Sequence, residues 1–396
     1  MIKETDSLPS LSKEIYFLFI CSQSQHDKED MQFIYAYIQK TPFNLETIIN
    51  LATSHGILPL VYKAIKESLE EASASNIHML STLKLHYMSI VQSNMSMSSE
   101  LIKLLHTLKK EHIEVIAFKG PTLAQVAYGD ITLRQYGDID ILIKNKDRRK
   151  VIDRMTERGY IPEIALNPKT EKTFFSHVNV IAFYHPVSYI RIEIHWELLS
   201  KNYAISWEEA DLWQTQTSIE MNKHHISILS TEQLLLYLCV HSAKHLYERI
   251  EWICDIDRLT RANPNMDWET VSSEAAKLGV SRIVHLSLAL CETLFELKLP
   301  QIIKEESQKD KVMQKLKNTI IKQNFGHTSP FKKSYHYFIL MWKMRNKLSD
   351  KLSFVFLGIF TPTIDDFLFM QLPNKLSFLY ILLRPYRLIK KYLISK

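Results

Sequence analysis

Glycine is scarce in this chain: eight in 396 residues, about a third of the usual share. Four of the eight fall between Gly120 and Gly159. A chain that gathers its few glycines in one segment needs special backbone angles or close backbone approach there. Cysteine is sparse too. Cys21, Cys239, Cys254 and Cys291 are scattered through apolar helical patterns, which excludes a disulfide framework or a zinc spacing and predicts reduced core thiols. No uninterrupted apolar run reaches about 18 residues, so a spanning helix is not expected. The opening MIKETDSLPSLSKE lacks the apolar run of a signal peptide, and a cytoplasmic location is expected. A strong charge is also missing, since a formal net charge of +6 is weak evidence for nucleic acid.

What is present reads as an ordinary globular chain, with 46% hydrophobic and 23% charged residues, which argues against disorder. The length allows two or three units with sizeable cores. Charge is uneven at the end: from Phe367 onward there are six Lys/Arg and no Asp/Glu. The tail LSFLYILLRPYRLIKKYLISK has the composition of an interfacial helix. The preferred reading is a terminal helix packed on the domain with its lysines in solvent, and peripheral membrane contact is not favoured.

The glycine-rich segment contains LRQYGDIDILI, Leu133 to Ile143. Strand side chains alternate, so Asp138 and Asp140 share one face while Ile139, Ile141 and Ile143 point into a core. Two carboxylates about 7 Å apart on one face repel unless a basic neighbour or a divalent cation lies between them.

Around this strand the pattern predicts an α+β core with a mixed sheet. Val115 to Phe118 is a strand ending at Lys119-Gly120-Pro121, and a helix follows, with Pro121 suited to its first position. Asp147 to Arg158 is an amphipathic helix stopped at Gly159. Further strands are expected at Asn179 to Tyr184 and Ile190 to Trp196. Residues 1–100 read as an N-terminal helical region, 101–230 as the catalytic core, 231–300 as a helical substrate-side subdomain, and 301–396 as a helical, basic and aromatic extension. Ser230 and Gln233 form a capping-box pattern for a helix carrying His241 and His245. EESQKDKVMQKLKN reads as a solvated charged helix or a linker.

Strand, Lys-Gly turn, helix and then a strand bearing Asp-x-Asp is the order used by enzymes that transfer nucleotides with metal ions. Mg²⁺ (or Mn²⁺) takes oxygen ligands and bridges to substrate phosphates, and it activates the attacking oxygen. A glycine turn at a helix N-terminus suits a phosphate tail, and Lys119 and Arg134 are placed to screen its charge. In YIRIEIHWELL, alternation puts Arg191, Glu193 and His195 on one face, and Glu193 is the candidate third acid. His195 reads either as a general base for the acceptor hydroxyl or as a group that orients Glu193. His241 and His245, four apart on a helix, lack the glutamate of a zinc-protease helix. They read as packing residues or as contacts to substrate or to Asp255. Asp255 and Asp257 diverge by about 200° on a helix and are not a second metal pair.

FKGPTLAQVAYGDITLRQYGDIDILI, then RIEIHWELL, then HSAKH with WICDIDRL, resembles the uncharacterised nucleotidyltransferases of the DNA-polymerase-β superfold, over roughly residues 45 to 300. The resemblance implies a polymerase-β-like core flanked by helical regions. It implies Asp138, Asp140 and Glu193 as metal ligands, and Gly120 as the phosphate-turn glycine. Where the wider superfamily carries Gly-Ser at that turn, this chain has Gly120-Pro121-Thr122, leaving Thr122 as the substitute hydroxyl. The expected reaction is transfer of a nucleoside monophosphate from a nucleoside triphosphate to an acceptor hydroxyl, with release of pyrophosphate. The acceptor side would include His195, His241, His245 and Asp255. A small molecule, sugar or peptide is preferred over nucleic acid as acceptor. The alternative is an inactive nucleotide-binding or scaffolding protein of a biosynthetic complex.

Overall fold

The computed structural model describes residues 11–40, 43–69, 74–164, 171–326 and 335–391. The opening MIKETDSLPS and the closing YLISK, on which the leader reading and part of the tail reading rest, lie outside the described residues.

At the centre is a five-stranded mixed sheet made of β1 (Val115–Ala117), β2 (Asp138–Ile143), β3 (Ile161–Pro162), β4 (Val180–Tyr184) and β5 (Arg191–His195). The spatial order is β1-β2-β5-β4-β3. Only β2 and β5 pair in parallel; the other neighbours are antiparallel. Ile139, Ile141 and Ile143 are buried, as are Ile192 and Ile194 beside them. This β-branched layer packs on the lower half of a 37-residue helix, Ala74–Lys110, through Leu101, Leu104 and Leu108. That helix runs without a break through residue 100, where the sequence suggested a boundary.

The same helix positions the loop that leads into the aspartate strand. Asn94 Nδ2 donates to the carbonyls of Ile131 and Arg134, each at 2.7 Å. Tyr87 adds a hydroxyl bond to Thr132 at 3.0 Å. Loop 129–137, which precedes the aspartate strand, is thus held chiefly by Asn94, a buried polar group that would be costly to leave unpaired.

Helices Thr231–Lys244, Ile250–Ala262 and Ser281–Phe295 pack together on the opposite face of the sheet, with the N-terminal helices against them. Ser230 accepts from the Gln233 amide at 3.3 Å, but the Gln233 side chain donates to the Asp211 carbonyl instead of returning. Only half of the expected capping box forms.

Two segments differ from the expectations. A hairpin of β6 (Thr217–Met221) and β7 (His224–Ile228) turns at Asn222 and Lys223, whose φ angles are 50° and 64°. That is a primed-type turn without its usual glycine. The charged stretch after residue 300 is a packed helix pair, Gln301–Lys309 and Lys311–Phe325, joined at Asp310. Ile303, Met313, Leu316 and Ile320 are buried in the core.

Candidate active site

The parallel ladder sets Asp138 opposite Arg191, Asp140 opposite Glu193 and Leu142 opposite His195. Since opposed residues of neighbouring strands share a face, the two acid strands present one polar surface. Asp140 is 0% exposed. Lys119, at the end of β1, places Nζ 3.3 Å from Asp140 Oδ1. His195 Nε2 lies 3.2 Å from that same oxygen and 3.2 Å from Glu193 Oε2. Arg191 spans the outer part, 3.4 Å from Asp138 Oδ2 and 2.6 Å from Glu163 Oε1, and also bonds Glu193.

These contacts set the charge states. Burial alone would lower the Lys119 pKa, but Asp140, with Tyr237, Asp138 and Glu193 behind it, raises it instead. Burial would likewise lower His195, and its bonds to Asp140 and Glu193 outweigh that and raise it. Against the same burial, Lys119 and His195 hold Asp140 below its ordinary range. Glu193 is lowered by His195, Lys119 and Arg191. Asp138 moves the other way, raised by burial and by the neighbouring Asp140. One face therefore holds two firmly ionised carboxylates and a third that resists ionisation, the pattern that like charges at close range produce.

The donor set fits a divalent cation. Ligand atoms of Asp140, Glu193 and His195 lie within 4.8 Å of one another. Asp140 Oδ2 is buried with no hydrogen-bond partner, which is costly unless a cation meets it. The expected trio of Asp138, Asp140 and Glu193 shares this face. The compact group, however, has His195 in place of Asp138, whose carboxylate lies 3.4 Å from Arg191.

Above this face lies a cleft of about 520 Å³. Lys119, Gly120, Asp138 and Glu193 form one wall, and His241, Lys244, His245 and Trp252 line the other. His241 and His245 stand with ring centroids 4.9 Å apart, and Trp252 is 4.9 Å from His245. Burial, reinforced by Lys244, Lys119 and Arg249, pushes His245 down to about 4. Burial and Lys119 hold His241 well below its usual value. Both imidazoles are neutral near pH 7. They belong to an aromatic wall of the cleft whose other side carries Asp138 and Glu193.

Four expected positions are engaged within the protein itself. Arg134 donates Nε and Nη2 to Asp255 at 2.7 and 2.8 Å, and Tyr128 adds its hydroxyl to Asp255 at 2.8 Å. An arginine expected on phosphate and an aspartate expected on the acceptor are thus each other's partners in the cleft wall. Thr122 is buried and gives its hydroxyl to the Lys119 carbonyl at 2.9 Å. It ties the turn together and is turned away from the cleft. Gly120 has φ +56°, and a Cβ there would lie 2.8 Å from the Asp138 carbonyl oxygen. Close packing of the turn on β2 therefore demands glycine whether or not phosphate is bound.

Lys244, Arg249 and Glu251 also line the cleft, and none of them stood out in the sequence. Lys244 lies between the two histidines of HSAKH, a signal overshadowed by the imidazole pair. Arg249 and Glu251 left no recognisable pattern. Asp257 pairs with Arg261 at 2.9 Å, away from Asp255, as the helical divergence requires. Trp196 is buried against Phe175, whereas Trp252 faces the cleft.

The family described as "Uncharacterised nucleotidyltransferase" matches residues 41–296. No curated protein matches the chain. Among solved structures, a lincosamide antibiotic adenylyltransferase, LnuA, crystallised with lincomycin, is similar at 21% identity. The match covers 41% of this chain and 96% of that one, with a TM-score of 0.31.

Proposed function

Because this chain belongs to that nucleotidyltransferase family, we propose that it transfers a nucleoside monophosphate from a nucleoside triphosphate to an acceptor hydroxyl. The acceptor oxygen bonds the α-phosphorus, the bond to the β-phosphate oxygen breaks, pyrophosphate leaves and the hydroxyl proton passes to solvent. The observation that carries this reading is the parallel register that sets Asp140 beside Glu193 under the cleft. Asp138, Asp140 and Glu193 would hold Mg²⁺ or Mn²⁺. Such an ion, when bound, neutralises phosphate charge and makes the attacking oxygen a stronger nucleophile.

The chain's own groups do the rest. His195 spends Nε2 on both carboxylates, so it serves as a positioning residue, fixing Asp140 and Glu193 in place. Lys119, held cationic by Asp140, faces the incoming triphosphate, and Lys244 offers a second cation across the cleft. Arg134 acts indirectly, by bracing the wall through Asp255. A cleft of about 520 Å³ is within the range of small-molecule sites. Its wall of Trp252, His241 and His245 suits the apolar body of a small acceptor better than a nucleic-acid backbone.

The decisive experiment is pyrophosphate release from ATP, GTP, CTP and UTP with Mg²⁺ or Mn²⁺ and a pool of candidate acceptors. We expect release with at least one nucleotide. Asp140→Asn should cut it by at least about 100-fold, the upper end of the loss seen for residues one shell out from a metal. A second reading, binding without turnover, has one observation in its favour: Lys119 and His195 already neutralise Asp140. Metal-dependent nucleotide binding by calorimetry with no pyrophosphate release would select it.

A further inference from the structure

The tail of the chain is built inside out for water. In helix Tyr380–Ile389 the two arginines are buried, Leu383 packs on the core, and Ile381, Leu382 and Ile389 face outward. Arg384 donates to the Gly358 carbonyl at 2.9 Å, to Thr363 Oγ1 at 2.8 Å and to Asp366 Oδ2 at 3.1 Å. Arg387 donates to Asp366 Oδ1 at 2.5 Å and to Asp365 Oδ2 at 3.3 Å. Ile381, Leu382, Tyr386 and Ile389 are exposed.

The helix packed against it repeats the pattern. Leu348–Phe360 buries Phe354, while Leu348, Leu352 and Phe356, at four-residue spacing on one face, are exposed. Phe356, Phe378 and Leu382 are 62%, 63% and 64% exposed. The carboxylates of this region turn inward or are paired. Asp366 is fully buried on two arginines, Asp365 leans on Arg387, and Asp350 Oδ2 is buried. Lysines remain at the margin, with Lys347 and Lys375 exposed and Lys390 over the Phe369 ring at 5.4 Å.

We infer that this face docks on an anionic phospholipid surface, with Leu352, Phe356, Phe378, Leu382 and Tyr386 entering the boundary between headgroups and acyl chains. Paired, buried arginines and outward aliphatics are unfavourable against water. Against hydrocarbon the aliphatics become favourable, and the arginines, already paired and buried, leave no bare charge on the face to desolvate. The marginal lysines then meet acidic headgroups, which a neutral protein partner would not reward. The geometry is that of lying on the membrane. Leu348–Phe369, 22 residues, is long and apolar enough to cross one, but it breaks at Thr361-Pro362-Thr363 into Leu348–Phe360 and Ile364–Phe369. The tail was expected to pack on the domain with its lysines in solvent; Lys375 and Lys390 are exposed, and it is Arg384 and Arg387 that turn inward.

The test is flotation of the full chain with vesicles of phosphatidylcholine, with or without phosphatidylserine, at low and high salt. The chain should float with the serine-containing vesicles and be partly released by salt. Phe356→Glu with Leu382→Glu, both at exposed positions, should weaken binding about tenfold or more while circular dichroism stays unchanged. Lys375→Glu should weaken only the anionic component. A chain that stays at the bottom of the gradient with both vesicle types overturns the inference. So does equal binding to neutral and anionic vesicles, which removes the headgroup assignment. A vesicle-free dimer in light scattering that Leu382→Glu dissociates would assign the face to a second copy instead.

Discussion

Asp140 is the residue on which the candidate site turns, because it carries a buried charge and one oxygen that no protein group meets. Its neighbours were legible from strand alternation alone: period-two spacing puts Asp138 and Asp140 on one face of their strand, and Arg191, Glu193 and His195 on one face of theirs. What could not be read was the partner of Arg134, which is 121 residues away in the chain. Nothing local distinguishes an arginine waiting for phosphate from one already committed to a carboxylate. The distinction is measurable. Arg134→Met leaves Asp255 buried beside Tyr128 without its cation, and breaking such a pair costs about 3–5 kcal/mol. Urea unfolding should show that loss, and Arg134→Met with Asp255→Leu should recover much of it. An unchanged midpoint for Arg134→Met, with weaker nucleotide binding, would instead make Arg134 a phosphate ligand.

Among the elements, the β1-to-helix turn holds the tightest constraint. Gly120 adopts φ +56° against the Asp138 carbonyl, so Gly120→Ala forces both backbone strain and a clash. We expect a loss of about 1–3 kcal/mol and, because Lys119 adjoins the turn, weaker nucleotide binding by calorimetry. Ala at this position with stability intact would mean the turn has an alternative path. The sheet strands were readable because β-branched runs with alternating acids have few other solutions. The β6–β7 hairpin was not, since Asn222-Lys223 lacks the glycine that marks such turns. In the tail, spacing separates a polar face from an apolar one, but it does not say which faces inward. Asp366, in a different helix, decides that by drawing in Arg384 and Arg387.

For the molecule as a whole, stability against pH is set by buried groups of opposite sense near the cleft. Burial, with Arg249 nearby, lowers His55 from 6.5 to about 4. Its contribution is complete above pH 6.5 and is lost as pH falls toward 4, because the unfolded chain takes the proton first. Burial raises Glu251 from 4.5 to about 7, so its contribution is present below 4.5 and is lost as pH rises through 7. Thermal melting between pH 7 and pH 5 should therefore fall less steeply in His55→Gln than in the parent, and more steeply in Glu251→Gln. Identical slopes in all three would reject both assignments. The sheet order also dictates a sequence of events during folding. β1 and β2 pair antiparallel across the shorter connection, whereas β5 joins β2 only after the longer chain between Ile143 and Arg191 has closed, which is the slower step. Lys119 thus reaches Asp140 before Glu193 and His195 can. The newly buried anion gains its counter-charge from the neighbouring strand, and the candidate site is completed last. Pulse-labelled hydrogen exchange should find the β1 and β2 amides protected ahead of those of β5.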